Sequence, residues 1–333
     1  MEIGIDSFAA LPVGSDVSAQ DRLGNLVEEI ETADQAGVHV FGVGEHHRDD
    51  FLDSSPAVIL AAGAARTKSI RLASAVTVLS AQDPVRVFQE FATLDLLSRG
   101  RAEIVVGRGS FSEAYPLFGL RLEDYDSLFA EKLELLLKLR EETHVTWSGR
   151  HRAALNGQGV FPRPVQNPLP VWVGVGGSPE SFIRAGALGL PLMVAIIGGQ
   201  PARFRPLIDL YRESGRRAGH SDLKVGVHFP GYVAESDEQA AEDFFPGFQR
   251  LFSQIGRERG WPPTTRAQFD AGRGPHGALL VGSAETVIAK IRAFDEALGG
   301  LSRVTFQMSV AALPHDRMLN GIRLLGERVA AEL

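Results

Sequence analysis

Apolar residues recur along the chain in two alternating rhythms. Short runs rich in Val, Ile and Leu read as strands. Between them, apolar positions spaced three and four apart read as helices. Residues 3–8 predict a first strand. Residues 21–37 predict a helix, because Leu23, Leu26, Val27, Ile30 and Ala33 share one face and Gly37 closes it. The alternation predicts further strands at 38–43, 71–79, 101–106, 171–175, 191–197, 224–233 and 303–310. It predicts helices at 56–65, 85–97, 125–140, 179–188, 204–218, 237–260, 283–297 and 316–331. Two stretches interrupt it. Residues 145–170 carry Gly149, Asn156-Gly157, Gly159, Pro162, Pro164, Pro168 and Pro170, which predict a hairpin-like excursion and a loop. Residues 261–277, rich in Pro and Gly, predict a second long loop.

Eight strands alternating with helices favour a parallel sheet, and eight is the number that closes a (β/α)8 TIM barrel. A doubly wound sheet is the competing arrangement. With no linker or short-period repeat, residues 1–333 are expected to form one barrel domain, with insertions after the fourth and seventh strands. Composition agrees: 44% hydrophobic and 23% charged residues suit an ordinary globular chain. The absence of cysteine removes disulfides, thiolate metal sites and a Cys nucleophile. The first residues lack a basic start followed by an apolar run, and no apolar run approaches a membrane span. A cytoplasmic protein is expected, with no membrane partner. The net charge of -7, without a basic stripe, argues against nucleic acid.

A barrel of this kind places its chemistry on the loops after the strands. That rule selects residues 44–47, 76–80, 107–111, 176–181 and 197–200. Glu45-His46-His47 supplies two imidazoles able to move protons near neutral pH, with Glu45 able to orient one of them; a loop of satisfied histidines is the plainer alternative. Zinc is a weaker idea, because the pair is consecutive and no third ligand presents itself. Arg108, between Gly107 and Gly109, suits a forked phosphate contact or an ion pair with a neighbouring loop. Gly176-Gly177 before Ser178-Pro179 reads as a helix start open to a phosphate, with Ser178 as the N-cap. Ser283 reads as a plain cap. Asp6 is expected to be a buried polar group, and His228 and Gln307 to be structural or to reach the mouth. Phe8, Phe51, Phe111, Trp261 and Phe269 are candidates for an apolar pocket.

In chain order, Glu45-His46-His47, Ala75-Val76-Thr77-Val78-Leu79, Asp83-Pro84-Val85-Arg86, Leu94-Asp95-Leu96-Leu97-Ser98-Arg99-Gly100-Arg101 and Gly107-Arg108-Gly109 form an ordered set. Pro162-Arg163-Pro164-Val165-Gln166 and Pro170-Val171-Trp172-Val173-Gly174-Val175-Gly176-Gly177-Ser178 extend it. The set resembles the bacterial luciferase-like family of flavin-dependent oxidoreductases over nearly the whole chain. The resemblance implies reduced FMN, or deazaflavin F420 in one branch, across the mouth of the barrel. It makes His46 the active-site histidine, with Glu45 or His47 holding it. It places a non-prolyl cis peptide at Ala75-Val76, followed by Thr77, under the flavin ring. Arg108, Gly176, Gly177, Ser178 and Ser181 fall around the flavin phosphate. Two positions depart from luciferase: Asp126 stands where a second phosphate-side arginine is expected, and the reactive cysteine is missing.

The expected activity is therefore an FMN-dependent monooxygenase using O2 on a small organic substrate. NAD(P)H would serve as reductant, directly or through a separate flavin reductase. An F420-dependent hydride-transfer enzyme, a non-catalytic flavin-binding protein and a metal-dependent hydrolase are the competing expectations. A homodimer or larger homo-oligomer is expected through helices 56–65 and 85–97. Residues 11–20, 197–200 and 261–277 are candidate covers for the site.

Overall fold

Eight parallel strands close into a ring in the computed structural model, which describes residues 1–11, 15–260 and 262–333. They are β1 (Glu2–Ser7), β2 (Val40–Val43), β3 (Arg71–Ser74), β4 (Ala102–Gly107), β5 (Val171–Val175), β6 (Leu192–Ala195), β7 (Val225–Val233) and β8 (Arg303–Gln307). Each strand pairs with the next, and β8 pairs with β1, so the ring has no free edge. In register, Ile5 lies between Phe41 of β2 and Phe306 of β8. The expected eightfold barrel is therefore present.

The helices that follow are α1 (Ala19–Ala36), α2 (Pro56–Ala64), α3 (Pro84–Ser98), α4 (Tyr125–Glu141), α5 (Pro179–Ala187) and α6 (Arg205–Arg217). After β7 come α7 (Asp237–Arg259), α8 (Arg266–Arg273) and α9 (Ala284–Leu298), and after β8 comes α10 (His315–Leu324). Local chemistry sets several ends. Ser18 accepts from Asp21 N to open α1, and left-handed Gly37 closes it. Asp83 accepts from the N–H groups of Val85 and Arg86 ahead of Pro84 in α3. Ser283 caps α9 as expected.

Most apolar burial lies between the ring and its helices. A smaller cluster of Val40, Ala73, Val105, Trp172 and Met193 fills the inside of the ring. Below it, at the strands' N-terminal end, buried Arg303 pairs with Glu103 and Glu2 and lies over Trp172 at 4.3 Å. That end is structural, which leaves the opposite end for chemistry.

Three expectations need correction. The strand foreseen at 71–79 is interrupted: Arg71–Ser74 and Thr77–Val78 flank a cis Ala75–Val76 peptide, and both segments pair with β4. Residues 261–277 are not a plain loop, because Thr265 and Gln268 form a capping box that starts α8 among prolines and glycines. A short strand, Leu280–Gly282, adds to the far end of β7. The closing helix changes pitch, with α10 continuing into a π-helical stretch at Leu325–Ala330. The excursion at 145–170 contains an antiparallel hairpin, His144–Trp147 against Leu155–Gly159. No helix among the described residues is long and apolar enough to cross a membrane.

Candidate active site

The C-terminal end of β2 delivers Glu45-His46-His47, and its three side chains separate into two groups. His46 Nδ1 meets Asp53 Oδ2 at 2.9 Å. Its ring packs against Phe51 at 4.5 Å, Phe8 at 4.7 Å and Phe111 at 5.6 Å between centroids. Asp53 is fully buried, and its other oxygen, Oδ1, has no hydrogen-bond partner among the described residues. Burial pushes the Asp53 carboxyl above its usual range, and contact with His46 draws it partly back. A carboxylate on Nδ1 fixes the neutral imidazole with Nδ1 protonated and Nε2 as the nitrogen left for a ligand. Gly44 makes this pairing possible: a Cβ there would stand 2.7 Å from Asp53 Oδ2 and 3.0 Å from His46 Cε1.

Glu45 and His47 do not hold His46. Glu45 accepts from Val78 N at 2.9 Å and from Gln82 Nε2 at 2.7 Å, and its Oε1 meets His47 Nε2 at 3.2 Å. It ties the end of β2 to the segment beyond Ala75–Val76. His47 sits edge-on to Phe118 at 5.1 Å. Asp53 is thus the partner that sequence reasoning missed. Its only signal was an acidic residue just before the Ser-Ser-Pro start of α2.

The cis peptide expected at Ala75–Val76 is present. Three glycines on flanking strands leave room for it. A Cβ on Gly107 would come within 2.5 Å of Val76, one on Gly174 within 2.8 Å of Val76, and one on Gly42 within 2.8 Å of Ala75 Cβ. Isolated glycines inside strands carry this kind of message, a close approach of backbone or ligand. Thr77 follows, buried, and its Oγ1 has no partner among the described residues.

A second edge of the mouth is polar and open. Arg108 leaves the end of β4, donates Nη2 to Ser181 Oγ at 3.2 Å and donates Nη1 to Asp126 Oδ1 at 2.5 Å. Its guanidinium lies over the Tyr125 ring at 4.9 Å. Gly176 and Gly177 are exposed, and a Cβ on either would meet nothing within 4 Å. Ser178 has the N-cap backbone, but its hydroxyl makes no cap bond; the expected side-chain cap is absent because Ser181 N turns to Ser178 O instead. The first N–H groups of α5 are not covered by that hydroxyl.

Between the two edges, β1, β7 and β8 contribute a buried polar cluster. His228 Nδ1 meets Asp6 Oδ2 at 2.6 Å, and Thr305 donates to the same oxygen at 2.5 Å. His228 Nε2 faces Gln307 Oε1 at 3.3 Å, and its ring stacks on Phe8 at 5.9 Å. Phe8 therefore separates two His–Asp pairs. Phe8, Phe51 and Phe111 gather around His46 as pocket candidates. Phe269 does not: it is core of the insertion, packed with Phe244, Phe245 and Phe248.

Above the site, Arg48 donates to Asp50, Glu113 and Glu258, and Gln254 donates to Asp50, so the end of α7 is tied over the β2 loop. Of the expected covers, residues 12–14 and Trp261 lie outside the described residues.

The chain has likenesses among known proteins in sequence and in fold. The family model for luciferase-like monooxygenases matches residues 1–300. The 4-hydroxyprotoasukamycin monooxygenase of Streptomyces nodosus subsp. asukaensis is 30% identical over 312 residues, 88% of this chain and 82% of that protein. The oxygenating constituent of 3,6-diketocamphane monooxygenase of Pseudomonas putida, solved with FMN, superposes with a TM-score of 0.84. It is 20% identical and covers 100% of this chain and 98% of its own. The coenzyme F420 dependent tetrahydromethanopterin reductase of Methanopyrus kandleri superposes at 0.76, is 18% identical, and covers 99% of each chain. At these identities the two solved structures speak for the fold alone.

Proposed function

The chain belongs to the luciferase-like monooxygenase family, and from that premise we propose that it oxygenates a small organic molecule with reduced FMN and O2. The observation that carries the reading is His46: a ring locked by buried Asp53 and walled by three phenylalanines, at the mouth of the barrel. The residues present fit a flavin. Thr77 Oγ1 is a buried polar atom without a partner among the described residues, and no side chain among them would meet a Cβ on Gly176 or Gly177 within 4 Å. Ala75, Val76 and Thr77 would hold the ring system. Arg108, Gly176, Gly177, Ser178 and Ser181 would hold the phosphate.

Bound reduced flavin supplies the two electrons that activate O2. His46 carries a proton at Nε2 toward or away from the reacting centre, with Asp53 fixing Nδ1. Phe8, Phe51 and Phe111 keep water from that nitrogen. Glu45 keeps the Val78 backbone, and so the platform at Ala75–Val76, in register with β2. NAD(P)H is the electron source, on the enzyme or through a separate flavin reductase. The protein acts in the cytoplasm as a homodimer or larger homo-oligomer. The assembly rests on α2 and α3, whose outward Val58 and Leu97 are 70% and 61% exposed beside an exposed Phe161.

The test is a binding spectrum of the purified protein with FMN and with F420, then O2-dependent product screening with reduced FMN. FMN binding with oxygenated product is expected. Preference for F420 with hydride transfer and no oxygenation would replace this reading, and flavin binding without any turnover would leave a binding protein.

A further inference from the structure

Arg108 stands at the open polar edge, where a phosphate contact is expected of it, and it already has an anion. Its Nη1 donates to Asp126 Oδ1 at 2.5 Å, while Nη2 donates to Ser181 and the guanidinium plane rests on Tyr125. Asp126 belongs to the first turn of α4 and its side chain is 73% exposed; among the described residues its side-chain hydrogen bond is the one with Arg108.

We propose that Asp126 is an affinity-lowering counter-ion: it competes with the flavin phosphate for Arg108 and sets the protein to exchange FMN rather than retain it. This rests on the FMN reading above. A phosphate monoester carries between one and two negative charges near pH 7. A forked contact with Arg108 that uses Nη1 displaces Asp126 or shares that donor with it, and one made through Nε and Nη2 still sets the phosphate a few ångströms from a carboxylate of like charge. Either route subtracts from binding a cost that riboflavin, lacking the phosphate, never meets. The effect is therefore specific to the phosphate and blind to the ring. It suits a flavin that arrives reduced and leaves oxidised.

The experiment compares Asp126→Asn with the unaltered protein, each titrated with FMN and with riboflavin, and measures FMN release by stopped-flow fluorescence. The asparagine keeps the shape and removes the charge at an exposed position, and riboflavin affinity reports that the pocket is intact. We expect D126N to bind FMN about tenfold more tightly, chiefly through slower release, with riboflavin affinity unchanged. Added salt should narrow the gap between the two proteins. Unchanged or weakened FMN binding by D126N, with FMN still preferred over riboflavin, would overturn the inference while leaving the flavin reading in place. If the unaltered protein binds FMN no better than riboflavin, or binds neither, the phosphate reading fails and the inference falls with it. An Arg108→Gln variant separates these cases. It should lose the preference for FMN, and in the R108Q background Asp126→Asn should no longer change affinity beyond twofold.

Discussion

At the scale of single residues, the site turns on which carboxylate serves which histidine. Asp53 holds His46 and Glu45 holds His47, so loss of either acid should have a distinct signature. For Asp53→Asn we expect turnover on the screened substrate to fall by about 10²-fold or more. FMN affinity should hold, and the pH–rate profile should shift because the imidazole loses its fixed tautomer. Retained turnover with an unshifted profile would remove Asp53 from the mechanism. His46 was legible because two imidazoles after a strand stand out in any chain. Asp53 was not, because a lone acid seven residues away becomes a partner only once the β2 loop folds back. Gly44 made that return possible and carried no signal of its own. His228, Gln307 and Asp6 were each visible, but their union needed three strands to close on one another.

At the scale of elements, the helices and strands followed from periodicity with ends displaced by one to three residues, the eighth strand stopping at Gln307 rather than at 310. The failures occurred where backbone geometry overrode pattern. The strand-like pattern at 71–79 gave no reason of its own to break at Ala75, because the room for the break comes from glycines on β2, β4 and β5. Helix α8 was hidden because Pro262, Pro263, Gly272 and Gly274 outweighed the capping box between them. The outward faces of α2 and α3 offer a test of assembly. Glutamate at both Val58 and Leu97 should convert the protein to a monomer in light scattering. The variant should still unfold in one cooperative transition, since exposed positions contribute little to folding. An unaltered protein that is monomeric at micromolar concentration would dismiss the interface.

At the scale of the whole molecule, two buried lysines govern how stability responds to alkali. Burial lowers Lys132 and Lys290 to about 8, while their ammonium groups donate to main-chain carbonyls of Ser80, Arg273 and Leu279. In the unfolded chain each titrates near 10.4. Between about pH 8 and 10.4 the unfolded state binds more protons, so stability rises with pH across that window. The gain is on the order of 1 kcal/mol for each lysine after screening, or a rise of about 1–2 °C in Tm per lysine for a chain of this length. Burial raises Tyr211 and Tyr232, which reverses the sign above about pH 10, where unfolded tyrosine ionises first. Melting curves at pH 8 and 9.5 check the rise, and Lys290→Met should remove about half of it. The barrel as a whole was legible from counting alternations, whereas these lysines were not, because burial belongs to the closed fold.

The three glycines around Ala75 and Val76 also bear on how this protein can be made to change. Gly42, Gly107 and Gly174 stand on separate strands, so no single replacement can be rescued by a neighbour in sequence. A mutant library aimed at new substrates should therefore return almost no survivors with a residue other than glycine at these three positions. Phe51, Phe111 and the inserted helix α7 lie outside that fixed ground. Variation there alters the walls of the chamber while its floor stays common to every variant.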